Sequence, residues 1–186
     1  MRYYKMMYNG QHNDVNTWCS CDLMDMKGNN EYALMESKLI LNWQMPIFKI
    51  DENDGKILTD LVHNDCGWHI VSPRFMEVMG DLIRDCVQYL DVEIQSKEGD
   101  YSGCKVMHIT KSLDALDYEH SVYRYMGENN DYLSITKAAL IRSKLDESHI
   151  FRLKDDELPV FVSQKFRKRV RENNLLGFSF MELDVY

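Results

Sequence analysis

Alternation and three-to-four-residue spacing of the apolar positions are clearest in two stretches of the chain. His69-Ile70-Val71 is a short β-like run that passes into Ser72-Pro73. Serine there can cap an orphan N–H, and proline at the first helical position lacks the donor that would go unpaired. Phe75, Val78, Met79, Leu82, Ile83 and Cys86 then recur on one face, which predicts an amphipathic helix of about 13 residues. Tyr89–Ile94 mostly alternates and predicts a closing strand. The same order returns at Val160–Ser163, a strand running into a serine cap. Phe166 and Val170 mark the apolar face of the next helix, Asn173-Asn174 ends it, and Gly177–Leu183 alternates as a final strand. Val71-Ser72 and Phe75 align with Val162-Ser163 and Phe166 at a constant offset of 91. Two similar strand–Ser–helix–strand units are therefore expected, against chance likeness of two amphipathic segments with few shared identities.

Elsewhere the pattern is weaker. Arg2–Tyr8 reads as an opening strand followed by a polar loop over Asn9–Asn16. Ile47–Ile50 is another short apolar run, stopped by Asp51-Glu52-Asn53-Asp54-Gly55, whose Asp-Gly is a turn signal. The region before Asp60 is read as short strands and loops. Lys105–Thr110 is a strand, and Leu113–Asp117 is turn-like with two inward leucines. Tyr132–Ile141 and Ile150–Leu153 complete the sheet, although Ser134–Leu145 fits a helix equally by its Ala and Leu content. The expected fold class is α+β: a mixed or antiparallel sheet with a few amphipathic helices, in a single domain over residues 1–186.

Composition narrows the function classes. A chain of 186 residues with 45% apolar and 28% charged residues is an ordinary globular composition. Its net charge of −8 argues against a general binder of the nucleic-acid backbone. No run approaches the ~18–20 apolar residues that a membrane helix needs, and the N-terminus has no uninterrupted apolar export segment. Five cysteines, an odd number, suit reduced thiols in a cytoplasm. The charge is uneven: residues 1–93 carry 8 basic and 15 acidic side chains, residues 94–186 carry 14 and 15. Any acidic face is drawn from the first half.

The familiar catalytic motifs (Gly-x-Ser-x-Gly, His-Glu-x-x-His and Gly-rich phosphate loops) are absent from the sequence. His63, Cys66 and His69 are spaced three apart, and Cys19 and Cys21 share a face if extended, so a metal-binding or enzymatic module using His63, Cys66 and His69 is the alternative reading. A lone Cys-x-Cys lacks the matching second pair of a zinc site, and buried thiols with ordinary histidines are the plainer expectation. No catalytic residue, metal or cofactor is expected. Asp155, Asp156 and Glu157 sit beside turn signals, where carboxylates cap loops. Lys165–Arg171 is one dense basic run, expected as the solvent face of a helix over Phe166 and Val170. Of the twelve methionines, Met6, Met7, Met24, Met26, Met35 and Met45 fall in the first fifty residues along with Met1, as core filling or as an adaptable binding surface.

Four blocks carry a resemblance when taken in order: Trp68–Phe75, Leu113–Ser121, Ile150–Leu153 through Val160–Ser163, and Gly177–Phe180. With them the chain resembles the immunity-protein family of bacterial polymorphic-toxin systems. The likeness covers roughly residues 61–186, with residues 1–60 as a variable part. It implies a cytoplasmic protein that binds and neutralises a cognate protein toxin without catalysis. The partner-binding face is then expected in the acidic first half, with Asp51, Glu52 and Asp54 meeting a basic toxin surface. Arg152, flanked by Phe151 and Leu153, is expected on the opposite face of its strand, paired with Asp114 or Asp117 or facing a partner.

Overall fold

A computed structural model of the chain describes residues 1–9, 18–50, 55, 57–97, 101–126 and 132–186. In chain order the first elements are β1 (Tyr3–Tyr8), β2 (Ser20–Asp25), β3 (Ile47–Ile50), β4 (Leu61–Asn64), β5 (Ile70–Val71), α1 (Pro73–Ile83), β6 (Val87–Asp91) and β7 (Glu93–Gln95). They are followed by β8 (Lys105–Ile109), β9 (Ser112–Leu113), β10 (Val122–Met126), β11 (Tyr132–Lys137), β12 (Ala139–Leu140) and β13 (Ile150–Leu153). The last are β14 (Asp156–Ser163), α2 (Gln164–Glu172), β15 (Phe178–Glu182) and β16 (Asp184–Val185). Strands dominate, with both parallel and antiparallel pairs, so the class is α+β with mixed sheets.

The capping chemistry sets both helices. Ser72 Oγ accepts from Phe75 N at 3.1 Å, and Ser163 Oγ accepts from Phe166 N at 3.2 Å. α1 is 11 residues long because the chain tightens into a 3-10 turn at Arg84–Cys86. The helices bury Phe75, Met79 and Ile83 on one side and Phe166 and Val170 on the other, with the Phe75 and Phe166 rings 6.2 Å apart. The basic run is partly spent inside the fold. Arg167 lies 4.5 Å over the Tyr4 ring, and Arg169 pairs with Asp81 across to α1.

Five strands form one sheet in the order β15-β1-β14-β13-β9, and seven form another in the order β6-β8-β5-β4-β2-β3-β7. Each helix joins two strands that are not neighbours: β8 lies between β5 and β6, and β1 between β14 and β15, antiparallel to both in each case. Residues 89–94 do not make one strand. β6 and β7 meet at Val92 yet occupy opposite edges of the seven-stranded order. With strands about 4.8 Å apart, the edges of a flat sheet would be roughly 29 Å apart, whereas two Cα steps reach less than about 7.6 Å. The sheet therefore curls until its edges meet, as a barrel does. Cys21, Phe48, Val62, Ile70, Leu90 and Val106 fill its inside, while the alternate residues Leu61, Val71, Met107 and Ile109 join the core shared with the helices and β1.

The ambiguity at residues 134–145 resolves to β11, β12 and a 3-10 turn at Arg142–Lys144. β-Branched Ile135 and Thr136 lie in that strand, and Tyr123 opposes Ile135 across the β10–β11 ribbon. Leu113 and Leu116 are buried as expected. The expected loop at residues 10–16 and the turn at residues 51–54 lie outside the described residues.

Candidate functional site

Of the residues anticipated at a partner face, Asp51, Glu52 and Asp54 lie outside the described residues, just after β3, which pairs with β2 and β7. The methionines divide by place: Met6 belongs to the core, whereas Met24, Met35 and Met45 are exposed.

His63, Cys66 and His69 are not assembled as metal ligands. The Tyr8 ring takes both histidines, standing edge-on to His63 at 5.6 Å and stacked on His69 at 6.1 Å. Cys66 Sγ points to Asp65 Oδ1 at 3.4 Å. Cys19 and Cys21 are buried, and burial raises the Cys21 thiol pKa well above its usual range. Among the described residues no group of three or more His, Cys, Asp or Glu side chains is placed to hold a metal ion. All five cysteines are thiols outside any disulfide.

A different set comes together where β8 meets β13. Arg152 alternates with Phe151 and Leu153, as the sequence implied, but the face it occupies is covered. It pairs with neither Asp114, which is taken by Lys144 at 3.2 Å, nor Asp117, which is taken by His120 at 2.9 Å. Only 4% of Arg152 is exposed, and its Nε and Nη1 have no hydrogen-bond partner among the described residues. Burial pushes its pKa down to about 10, opposed by the charge of Glu157, so the cation persists at neutral pH. Beside it, His108 Nε2 lies 2.6 Å from the Lys38 carbonyl. A carbonyl only accepts, so Nε2 carries the proton and Nδ1 is a bare acceptor, also unpartnered. These groups line a cavity of about 150 Å³ with Trp68, His69, Val106 and Met107.

Its roof is the segment between β2 and β3, which contributes Leu34 and Met35 from a 3-10 turn at Glu31–Met35. This strap is pinned by side chains. Gln88 exchanges two hydrogen bonds with the Ile40 backbone at 3.0 and 2.8 Å, Trp43 Nε1 donates to the Asp91 carbonyl at 2.8 Å, and Ser37 N donates to Glu157 at 2.8 Å. Between the pins it turns Leu39 (68% exposed) and Leu41 (88% exposed) into solvent. His108 and the strap escaped the sequence reading. A histidine inside a buried strand and an arginine between Phe and Leu were visible signals, but nothing in their spacing says that two sheets bring them together.

The cavity wall also fixes a pH response. Burial, with Arg152 as a second cause, pushes the His69 pKa down to about 3. Between pH 6.5 and 3 the unfolded chain then binds the proton that the folded chain refuses, so stability falls as pH falls through that window. At pH 5 the expected contribution is about 2 kcal/mol. Melting curves at pH 7 and 5 should show a larger drop for the wild type than for His69→Phe, which keeps the stack on Tyr8. Equal drops would refute it.

With this geometry in hand, comparison with known proteins is informative. No helix among the described residues is long and apolar enough to cross a membrane. No curated protein matches the chain. The family model described as Immunity protein family (Imm11) matches residues 20–185, which takes in the strap, both helices and the strands from β2 onward. The chain belongs to this immunity protein family.

Proposed function

We propose that the protein is a cytoplasmic, non-catalytic immunity protein that binds a cognate protein toxin of a polymorphic-toxin system and neutralises it. The family match over residues 20–185 is the observation that carries this reading. The acidic first half supplies long-range attraction to a basic toxin, with Asp51, Glu52 and Asp54 as partner-binding residues that raise the association rate. The exposed side chains of the strap, Leu39 and Leu41 with Met35 and Met45, supply apolar anchors near that acidic segment in sequence. Residues 1–186 act as one domain, since β1 completes one sheet while β2 and β3 complete the other.

We also read the two strand–Ser–helix–strand segments as copies of one unit. The offset of 91 relates Ser72 to Ser163, the start of α1 at Pro73 to that of α2 at Gln164, and β6 (Val87–Asp91) to β15 (Phe178–Glu182). Register supports it, because Val87 opposes Ile109 as Phe178 opposes Tyr8.

The test is co-expression with the toxin encoded by the neighbouring gene. Cells carrying both genes should grow, and the two proteins should co-elute from gel filtration. Reversing charge at Asp51, Glu52 and Asp54 together should slow association about tenfold at low salt and less at high salt. Failure of rescue together with absence of a complex would end the proposal.

A further inference from the structure

We propose that the cavity over Arg152 and His108 is a binding site for a small carboxylate carrying an N–H or O–H donor beside its anionic oxygens. Three observations converge on this chemistry. The first is a buried cation with no ion-pair partner among the described residues: Glu157, the carboxylate whose charge Arg152 feels, accepts at Oε2 from Ser37 N. The second is a buried acceptor, His108 Nδ1, whose partner nitrogen is already committed to Lys38. Buried polar groups are nearly always satisfied, and an unpaired charge is the costliest exception, so an open N–H of Arg152 and the bare Nδ1 together specify an anionic acceptor with a donor alongside. The third is size and wall: a cavity of about 150 Å³ is large enough for a molecule of about six heavy atoms. Leu34, Val106, Met107 and Leu158 make much of the remaining wall apolar, beside Trp68 and His69.

The single positive charge in a largely apolar wall matches a monoanion and disfavours a dianion such as sulfate, whose second charge would be buried unpaired. Exposed Met35 and Leu158 stand among the lining residues, so the ligand enters past the strap. Two sources supply the same chemistry: a free hydroxy acid, or an acidic side chain of a bound protein with its adjacent backbone N–H. The second source rests on the immunity reading above.

Thermal melts and calorimetric titrations of the full chain at pH 7 and constant ionic strength test the site. Lactate and glycolate should raise Tm saturably by several degrees at millimolar concentration, acetate less because it lacks the donor, and chloride or sulfate, the latter a dianion without a donor at pH 7, not at all. Arg152→Met should abolish the response while melting at or above the wild type, because it removes a buried unpaired charge at similar volume. Should that variant not fold, Arg152→Lys keeps the cation and should weaken binding at least tenfold. A flat response to every small acid, with Arg152→Met losing at least tenfold affinity for the toxin at unchanged Tm, assigns the carboxylate to the partner. A flat response with toxin binding intact overturns the site and leaves the immunity function standing. If the wild type itself does not bind the toxin, the function reading fails, and the small-acid arm alone decides the site, a flat response overturning it.

Discussion

Replacing Gly177 with alanine is expected to destabilise the protein by about 3–5 kcal/mol, lowering Tm by roughly 6–20 °C for a chain of this size. Gly177 follows α2 with φ +93°, a left-handed conformation that an L side chain adopts only under strain. Strain alone would be modest; the larger part is steric. A Cβ there would lie 2.4 Å from the Leu61 carbonyl oxygen and 3.1 Å from Thr59 Cβ. The oxygen cannot swing aside, because it belongs to buried β4 and accepts from Thr59 Oγ1 at 2.5 Å, while Leu61 N donates to the Leu176 carbonyl at 3.0 Å. Gly80→Ala is the control. Gly80 sits inside α1 with nothing within 4 Å of a built Cβ, so alanine should stabilise by about 0.5–1 kcal/mol through lower unfolded-state entropy. Urea titration of both variants measures the contrast. If Gly177→Ala melts with the wild type, the crossing of residues 59–61 by residues 174–177 is misplaced.

Truncating Asp60 to alanine is expected to destabilise by about 2–4 kcal/mol. The carboxylate is buried and joins three parts of the chain: it accepts from Ser72 Oγ at 2.7 Å, Arg74 Nη1 at 3.1 Å and Leu176 N at 2.8 Å. Alanine would leave the Leu176 N–H without its acceptor and free the serine that caps α1. Arg74 is half exposed and can turn to water, which keeps the figure below that for a fully buried pair. Asp60→Asn should lose about half as much, since shape and one acceptor oxygen survive. Equilibrium unfolding with an unchanged denaturant slope checks it, and equal stability of Asp60→Ala and wild type would refute it. Asp60 and Gly177 serve the same junction, so the double variant should lose less than the sum.

Much of the local structure was legible in the residues themselves. Ser72-Pro73 and Ser163 mark helix starts because side-chain oxygen and missing donor act within one turn, and Arg2–Tyr8 and Ile47–Ile50 stand where strands are observed. Partnership between elements was not legible. Val92 lies in an alternating run that reads as one strand, yet Leu90 opposes Val106 while Ile94 opposes Phe48, a choice made by neighbours distant in sequence. Residues 134–145 show the same limit, since composition favoured neither state and pairing with β10 and β16 decided. The candidate site was hidden for this reason. Arg152 and His108 belong to strands of different sheets, and the strap that closes over them shows no periodicity at all.

β1 has a bearing on how the molecule comes into being. Its six residues are flanked on both sides by strands made at the far end of the chain, Tyr3 opposite Ser163 and Tyr4 opposite Glu182. During synthesis at about 5–20 residues per second, Tyr4 and Met6 must wait roughly 8–36 seconds on the ribosome for the partners that bury them. Pairings of such sequence separation also place folding itself in the millisecond-to-second range. The five-stranded sheet thus cannot close until β14 and β15 have been made, and a nascent chain halted before β14 holds an apolar, unpaired strand for chaperones to cover.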